Sequence, residues 1–266
     1  MASGSRTGFG LSVALHKVWL KKNERLTGEW QNRDSCGMKL RNLHPWDLAP
    51  RDAMALQREL APKVVREGDP VDVRLVAAAD VAFVEQTRAW RSGTARAALV
   101  LMSYPELMIV EEHVVEAPAS FPYVPGLLSF REVPALALAF ERLQGRPDLL
   151  LVDGQGIAHP RRLGIAAHVG LLADVPTIGC AKSRLCGVAA EPGVDRGAKS
   201  ELVDGGEVIG LVLRTRTGVK PVYVSVGHLI GLEVAAAWVL RLARRYRLPE
   251  PIRVADALSK GRRISA

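Results

Sequence analysis

Long apolar runs are scarce in this chain of 266 residues. No stretch approaches the roughly 18 consecutive apolar residues that a membrane-spanning helix needs, so we expect no membrane span. The apolar patch at residues 9–15 is short, and no clear small-residue cleavage site follows it. We therefore expect no signal peptide at the amino terminus either.

Cysteine is scarce as well. The chain contains Cys36, Cys180 and Cys186, and no two of them have the C-x-x-C spacing. An odd count without paired spacing argues against a disulfide framework and against a zinc site. It favours a reducing compartment, so we expect a cytoplasmic protein.

Positive charge, in contrast, is plentiful. Lysine and arginine outnumber aspartate and glutamate by 36 to 28, which gives a formal net charge of +8 and a pI of about 9.7. A basic balance suits an anionic partner such as nucleic acid, although charge alone does not single out that partner. With 48% hydrophobic residues, the chain is long enough to build one sizeable core.

The first 37 residues differ from the rest because neither a helical nor a strand period is sustained through them. We predict a poorly ordered amino-terminal extension over 1–37 and a single folded domain over 38–266. Met38 opens an ordinary globular stretch and is a candidate for the native first residue. Mass spectrometry of the native amino terminus would decide, since a peptide from 1–37 would exclude that start.

The hydrophobic pattern of the domain predicts a mixed α/β sheet. A helix is expected from Pro50, because apolar residues recur there at helical spacing. Three β-rich runs then predict an antiparallel meander, and alternating helices and short strands follow. One of these helices is expected at about 133–144, and the last long element is a helix at about 229–246. The three runs of the meander are "VDVRLVAAADVAFV", "TARAALVLMSY" and "ELMIVEEHVVEA".

Three carboxylates stand out against this pattern. Asp80 interrupts an apolar strand, and Asp153 follows the short strand "LLLV" and precedes the glycine loop of Gly154 and Gly156. A buried carboxylate needs a cation, a hydrogen-bond network or a proton. Glu132 lies near a helix start, where a capping role with a serine competes with a functional one. Carboxylates converging from such positions would suit Mg²⁺, although each aspartate also fits a structural role.

Basic side chains follow the same segments. His159, Arg161 and Arg162 come after the glycine loop, Lys182 ends the strand "PTIGCAK", and His228 precedes the last predicted helix. Each one fits an ordinary surface or capping role, but together they suit a polyanion bound over a metal. The arginines of 241–247 end a helix, where cations are favoured anyway, so a solvated face is preferred for them.

The loop "FPYVPG" at 121–126 contains two prolines and a terminal glycine, which predict a stiff, exposed connection. Its aromatic and aliphatic tip could wedge between base steps of a duplex. A plain surface connection explains the same residues.

These motifs together resemble the endonuclease V family of deoxyinosine-specific repair nucleases. The resemblance extends from about Asp80 to Glu233, whereas the first 37 residues match nothing in the family pattern. The matching stretches are "DVAF", "FPYVPGLLSFRE", "PDLLLVDGQGIAHPRRLGIAAHVG", "DVPTIGCAKSRLCG" and "SVGHLIGLEVA".

The resemblance implies a ribonuclease H-like fold and a magnesium-dependent catalytic domain, with Mn²⁺ as an alternative ion. It implies that Asp80 and Asp153 bind the metal and that Glu132 completes the acidic site. Lys182 would steady the phosphate or the developing charge, and His228 would be an auxiliary catalytic residue near the metal.

The resemblance also implies how a lesion would be recognised. The wedge would consist of Tyr123, Val124, Pro125 and Gly126, although Val124 replaces an expected isoleucine, a small change. The deaminated base would turn out of the stack into a pocket beside this loop. Predicted contacts to DNA or to the lesion also include Gly154, Gly156 and His159.

The implied activity is hydrolysis of the second phosphodiester bond 3′ to deoxyinosine, which leaves 3′-hydroxyl and 5′-phosphate ends with the lesion retained. The implied partner is DNA that contains deaminated bases. No obligate protein partner is inferred, and we expect a monomer. Two alternatives stay open: a nuclease acting mainly on inosine-containing RNA, and a non-catalytic nucleic-acid-binding module on the same fold. A nucleotide-binding glycine loop is disfavoured because the glycine pattern is incomplete.

Overall fold

The computed structural model of the chain describes residues 37–86 and 93–262. The predicted extension therefore lies outside the described residues except for Gly37, and its boundary stays a prediction. Within the described ranges, every helix is too short or too polar to cross a bilayer.

Helix α1 covers Pro50–Leu60 and continues as a 3₁₀ turn over Ala61–Lys63. Proline in the first turn lacks the N–H that a helix start leaves unpaired, and Asp52 complements the positive end of the helix dipole. The helix buries Ala53, Gln57 and Leu60, which confirms the helix predicted from Pro50.

In the part of the chain that the structure describes, eight strands form one mixed sheet in the order β3-β2-β1-β4-β5-β8-β7-β6. The first three are the predicted antiparallel meander, whereas β1, β4 and β5 run parallel, and β8, β7 and β6 continue antiparallel. The strands are β1 (Leu75–Gln86), β2 (Gly93–Ser103), β3 (Ile109–Pro118), β4 (Leu149–Val152), β5 (Thr177–Ala181), β6 (Lys199–Asp204), β7 (Glu207–Leu213) and β8 (Val222–His228).

Within residues 37–86 and 93–262, four further helices pack on this sheet. Helix α2 lies against β2 and β3, α3 against β5 and β8, α4 against β7 and β8, and α5 against β1 and β2. Their bounds are α2 (Leu128–Phe140), α3 (Ile165–Ala173), α4 (Leu232–Leu242) and α5 (Glu250–Ser259).

Helix α2 begins at Leu128, several residues before the predicted start, and Pro134 lies inside it. The predicted start was wrong because packing outweighs the proline penalty: Phe130, Val133 and Leu136 are all buried. The suggested capping box is also absent, since the helix start has no side-chain cap and Ser129 instead contacts a buried histidine.

Two elements, β6 and α5, were not predicted from the sequence. Helix α5 is ten residues long, follows Pro249 directly and has Pro251 in its first turn. Proline is well tolerated at these positions, but in a sequence it suggests a loop. Helix α5 nevertheless contributes residues to the candidate active site.

Candidate active site

The parallel pairing of β1 and β4 places two of the predicted carboxylates side by side. The pairing ends at Ala79 and Val152, and Asp80 and Asp153 are the next residue of each chain segment. The Asp153 amide donates to the Ala79 carbonyl at 3.0 Å and holds the two segments in register. Asp80 and Asp153 therefore meet where the parallel pairing ends, at the carboxyl end of β4, and such strand ends are where ligands gather in α/β sheets.

A third carboxylate reaches the same place from α5. One ligand atom each of Asp80, Asp153 and Asp256 lies within 4.8 Å of the other two. Glu132, from the second turn of α2, is buried beside them, and burial followed by the charges of Asp80 and Asp153 raises its pKa well above the ordinary value. Two strands and two helices thus concentrate four carboxyl groups in one region.

The pKa of Asp153 shows how this concentration of negative charge affects ionisation. Its burial, followed by the charge of Asp80, raises its pKa to about 6, although the Lys182 ammonium opposes the shift. For Asp256, ion pairs with Lys182 and Lys260 outweigh partial burial and lower the pKa. A buried group of like charges is stabilised by a cation, and these residues offer only oxygen donors. The cluster is therefore a candidate site for a divalent metal.

Lys182 follows β5 directly and touches the cluster. Its Nζ forms ion pairs with both Asp153 and Asp256, which raise the lysine pKa in spite of partial burial. The backbone of Lys182 is also held, because its carbonyl accepts a hydrogen bond of 2.6 Å from Arg247 Nη2. Arg247 belongs to the basic run at 241–247, for which a solvated face was expected. In the structure it instead contacts the backbone of Lys182 and so stabilises the site.

Ser259, at the end of α5, orients the first aspartate. Its side chain is fully buried, and its hydroxyl donates to Asp80 Oδ2 at 2.5 Å. Helix α5 therefore contributes to the site twice, through the Asp256 carboxylate and through this hydrogen bond.

The proline-rich loop stands beside the cluster. Tyr123 at its tip is 53% exposed, and Gly126 adopts a positive φ of 78°, which disfavours other residues there. The Gly126 carbonyl accepts hydrogen bonds from Gln57 Nε2 at 2.9 Å, His159 Nε2 at 2.9 Å and Arg161 Nη2 at 2.8 Å. The base of the loop is thus tied to α1 and to the segment after the glycine loop.

A cavity of about 360 Å³ separates this loop from the acidic cluster. The predicted wedge lines it together with Gly154 and His159, and Asp153 and Lys182 line it as well. The structure thus brings these predicted residues together in one pocket that opens next to the carboxylates.

Two predicted contact residues lie differently from the expectation. Gly156 is not among the cavity-lining residues; a Cβ there would come within 1.9 Å of the Val226 carbonyl, so the glycine serves the packing of β8. His159 lines the cavity, but burial lowers its pKa to about 4, so it is neutral at pH 7 and donates through Nε2 to Gly126.

The predicted position of His228 near the metal was wrong. Strand β8 runs antiparallel to β5, so that His228 pairs with Thr177 at the start of β5, whereas Lys182 follows its end. Its Nδ1 accepts a 3.2 Å hydrogen bond from the Val65 amide, and its Nε2 lies 3.8 Å from Asp174 Oδ1. The structure therefore does not bring His228 to the acidic cluster, contrary to the predicted place near the metal.

Asp256 is the carboxylate of the cluster that was not predicted from the sequence. It lies in "PEPIRVADALS", beyond the end of the stretch that carried the resemblance. A single aspartate on an amphipathic helix resembles any solvated surface residue, and only the packing of α5 on β1 shows its place.

A mixed sheet of this topology, with acidic residues grouped around the carboxyl end of β4, defines a nuclease of the ribonuclease H-like class. The Endonuclease V family profile matches residues 58–257. The chain belongs to the endonuclease V family.

Individual relatives agree. The endonuclease V of Alkalilimnicola ehrlichii is 51% identical over 234 residues, which cover 86% of this chain and 100% of that protein. The endonuclease V of Trichormus variabilis is 48% identical over 227 residues, covering 85% of this chain and 100% of that protein.

Solved structures extend the agreement to the fold. The Bacillus subtilis endonuclease V aligns with a TM-score of 0.79 and 30% identity, covering 84% of this chain and 96% of that one. The Ciona intestinalis endonuclease V was crystallised with a 24mer DNA containing an inosine followed by a ribo-adenosine. It aligns with a TM-score of 0.68 and 29% identity, covering 79% of this chain and 96% of the other.

Proposed function

We propose that this protein is a magnesium-dependent repair nuclease that recognises deaminated bases in DNA, chiefly deoxyinosine. It cuts the second phosphodiester bond 3′ to the lesion and leaves 3′-hydroxyl and 5′-phosphate ends with the lesion retained. The observation that carries the proposal is the meeting of Asp80, Asp153 and Asp256 beside a cavity capped by the 121–126 loop.

Asp80 and Asp153 would hold the metal, and Asp256 and Glu132 would complete its oxygen surroundings. When bound, Mg²⁺ or Mn²⁺ would polarise the phosphate and lower the pKa of a water molecule. The all-oxygen donor set and the raised pKa of Asp153 and Glu132 fit such an ion.

Lys182 has a separate part in this proposal. Its ammonium pairs with Asp153 and Asp256, and a metal that neutralises these carboxylates would leave the ammonium available to the scissile phosphate. A fixed cation near the leaving oxygen stabilises the negative charge that develops there. His228 lies at the opposite end of β5 from Lys182, so we assign it no part in the reaction.

Recognition would use the loop and the cavity together. Tyr123, which is more than half exposed, and Val124 would enter the base stack, and the displaced base would occupy the cavity lined by Gly126 and Gly154. A mismatched or damaged base costs less to unstack, which adds to selectivity.

A nicking assay tests the proposal directly. Matched duplexes would carry inosine or adenine at one position, an inosine-containing RNA would form a third arm, and each would be incubated with Mg²⁺ or EDTA. We expect a Mg²⁺-dependent nick at the second bond 3′ to inosine in DNA and no nick at adenine. Absence of this nick would refute the proposal, and preferential cutting of the RNA would redirect it to RNA.

We also expect the protein to act in the cytoplasm as a monomer. Cys180 and Cys186 are both free thiols in the described residues, as a reducing compartment allows. Light scattering of the purified protein with and without DNA would test the monomeric state.

A further inference from the structure

One side chain of the cavity wall has a polar atom without a partner. Gln155 lies between the two glycines of the loop after β4, lines the cavity and is 8% exposed. Its Nε2 donates to the Ser183 carbonyl at 2.8 Å, and Ser183 lines the same cavity. Its Oε1 is buried and has no hydrogen-bond partner among the described residues.

The orientation of this amide is well determined. Turning it over would place Oε1 against the Ser183 carbonyl, so that two acceptors would face each other. Oε1 is therefore the unpaired atom, and leaving a buried acceptor unpaired costs about 1–3 kcal/mol. Oε1 has almost no accessible surface, so an N–H of a ligand in the cavity would reach it, and remove this cost, after a small rotation of the Gln155 side chain.

We propose that Gln155 is a specificity-determining residue, whose Oε1 accepts a hydrogen bond from the ring N–H of a deaminated purine held in the cavity. The inference rests on the proposed function, because it assumes that the extruded base occupies this cavity.

The chemistry of deamination explains why an acceptor suits this place. When adenine loses its amino group, a carbonyl replaces it at C6 and the neighbouring N1 gains a hydrogen. Hypoxanthine therefore presents a donor at N1, where adenine presents an acceptor. An acceptor on the protein pairs with the first and opposes the second, and a site built around such a hydrogen bond rejects the wrong base strongly.

Two substitutions isolate the acceptor. Gln155→Met keeps the length of the side chain but removes both the acceptor and the bond to Ser183, whereas Gln155→Glu removes that bond and keeps acceptor oxygens. Binding is measured by fluorescence anisotropy in EDTA, on duplexes with inosine or with nebularine. Nebularine is a purine that has no hydrogen at N1, so loss of the acceptor weakens only the inosine duplex. Any effect of losing the bond to Ser183 falls equally on both duplexes.

We expect Gln155→Met to weaken binding of the inosine duplex about tenfold and to leave the nebularine duplex within about twofold. The Gln155→Glu variant should retain the preference for inosine over nebularine. An equal loss on both duplexes with Gln155→Met, or no loss on either, would overturn the inference, as would loss of the preference in Gln155→Glu.

The wild-type protein separates this inference from the proposed function. If it nicks inosine DNA and the Gln155→Met variant shows no selective loss, only the role of Gln155 fails. If the wild type does not distinguish inosine from adenine at all, the proposed function itself fails.

Discussion

The two ends of the central strands each hold an acidic residue beside a basic one, but only one end forms a candidate active site. At the carboxyl end of β4 and β5, Lys182 pairs with Asp153 and Asp256. At the opposite end, His228 lies 3.8 Å from Asp174, which itself pairs with Arg41. The first group is largely buried and rich in like charges, whereas Asp174 is a half-exposed residue at the end of α3.

The difference shows that the residue types do not define the site. What separates the two ends is the number of carboxylates that independent elements bring together. Strands β1 and β4 and helix α5 each contribute one aspartate to the first end, and α2 adds a glutamate. The following variants either break this distinction or measure how far it extends.

The largest effect is expected from removing one buried charge at the acidic end. Asp153→Asn should lower nicking of inosine DNA by at least about a thousandfold, because a metal contributes several kcal/mol to such a reaction. Asp174→Asn is the matched control: asparagine tolerates the left-handed conformation there, with φ of 54°, and activity should stay unchanged. Single-turnover nicking rates compare the two, and equal losses would remove the distinction between the ends.

Asp256→Asn should have the next largest effect. It removes a carboxylate of the cluster and one partner of Lys182, so we expect nicking to fall about a hundredfold and Mn²⁺ affinity to fall with it. Titration of Mn²⁺ by electron paramagnetic resonance gives the affinity independently of activity. An unchanged Mn²⁺ affinity would show that Asp256 is not a ligand.

Ser259→Ala should have a smaller effect, because Ser259 acts through Asp80. Loss of its hydroxyl frees the Asp80 carboxylate to rotate, and we expect Mn²⁺ affinity to fall about tenfold. Ser259→Thr retains a hydroxyl and should restore most of the affinity. If alanine and threonine behave alike, Ser259 contributes only packing.

The raised pKa of Asp153 leads to a prediction about stability without metal. Because the folded protein binds this proton more readily than the unfolded chain, ionisation above about pH 6 destabilises the fold. Asp153→Asn should therefore be more stable than the wild type at pH 7 by about 1 kcal/mol, less than the shift alone implies, since Lys182 loses a partner. The difference in the free energy of unfolding between Asp153→Asn and the wild type should shrink as the pH falls below 6. Urea unfolding in EDTA at pH 5 and 8 would measure it, and an equal difference at both values would contradict it.

The smallest effect on activity is expected at the other end of the sheet. His228→Phe should leave the nicking rate within about twofold and lower the free energy of unfolding by about 1 kcal/mol, because the Val65 amide loses its acceptor. Thermal unfolding and nicking rates, measured on the same preparation, separate the two effects. A loss of activity without a loss of stability would return His228 to the reaction.

Local patterns predicted the meander and most of the other strands and helices, because apolar runs and turn residues act over a few positions. They also exposed Asp80 and Asp153, since a carboxylate in or after an apolar strand is visible in the sequence alone. Asp256 and His228 could not be placed in this way, because their positions depend on the packing of α5 and on the antiparallel return of β8. The partner-free oxygen of Gln155 depends likewise on where the loop meets Ser183.

The three donors that converge on the Gly126 carbonyl have a consequence for the thermodynamics of DNA binding. A loop that must become ordered on contact loses conformational entropy at that moment, at a cost of about 0.5–1.5 kcal/mol for each immobilised side chain. Here the base of the loop is already held by Gln57, His159 and Arg161, so this entropy has been lost during folding. The tip at Tyr123 can meet the duplex as a preorganised surface. The rate at which the protein dissociates from DNA then depends on how well the tip fits the lesion, because the loop does not have to become disordered first.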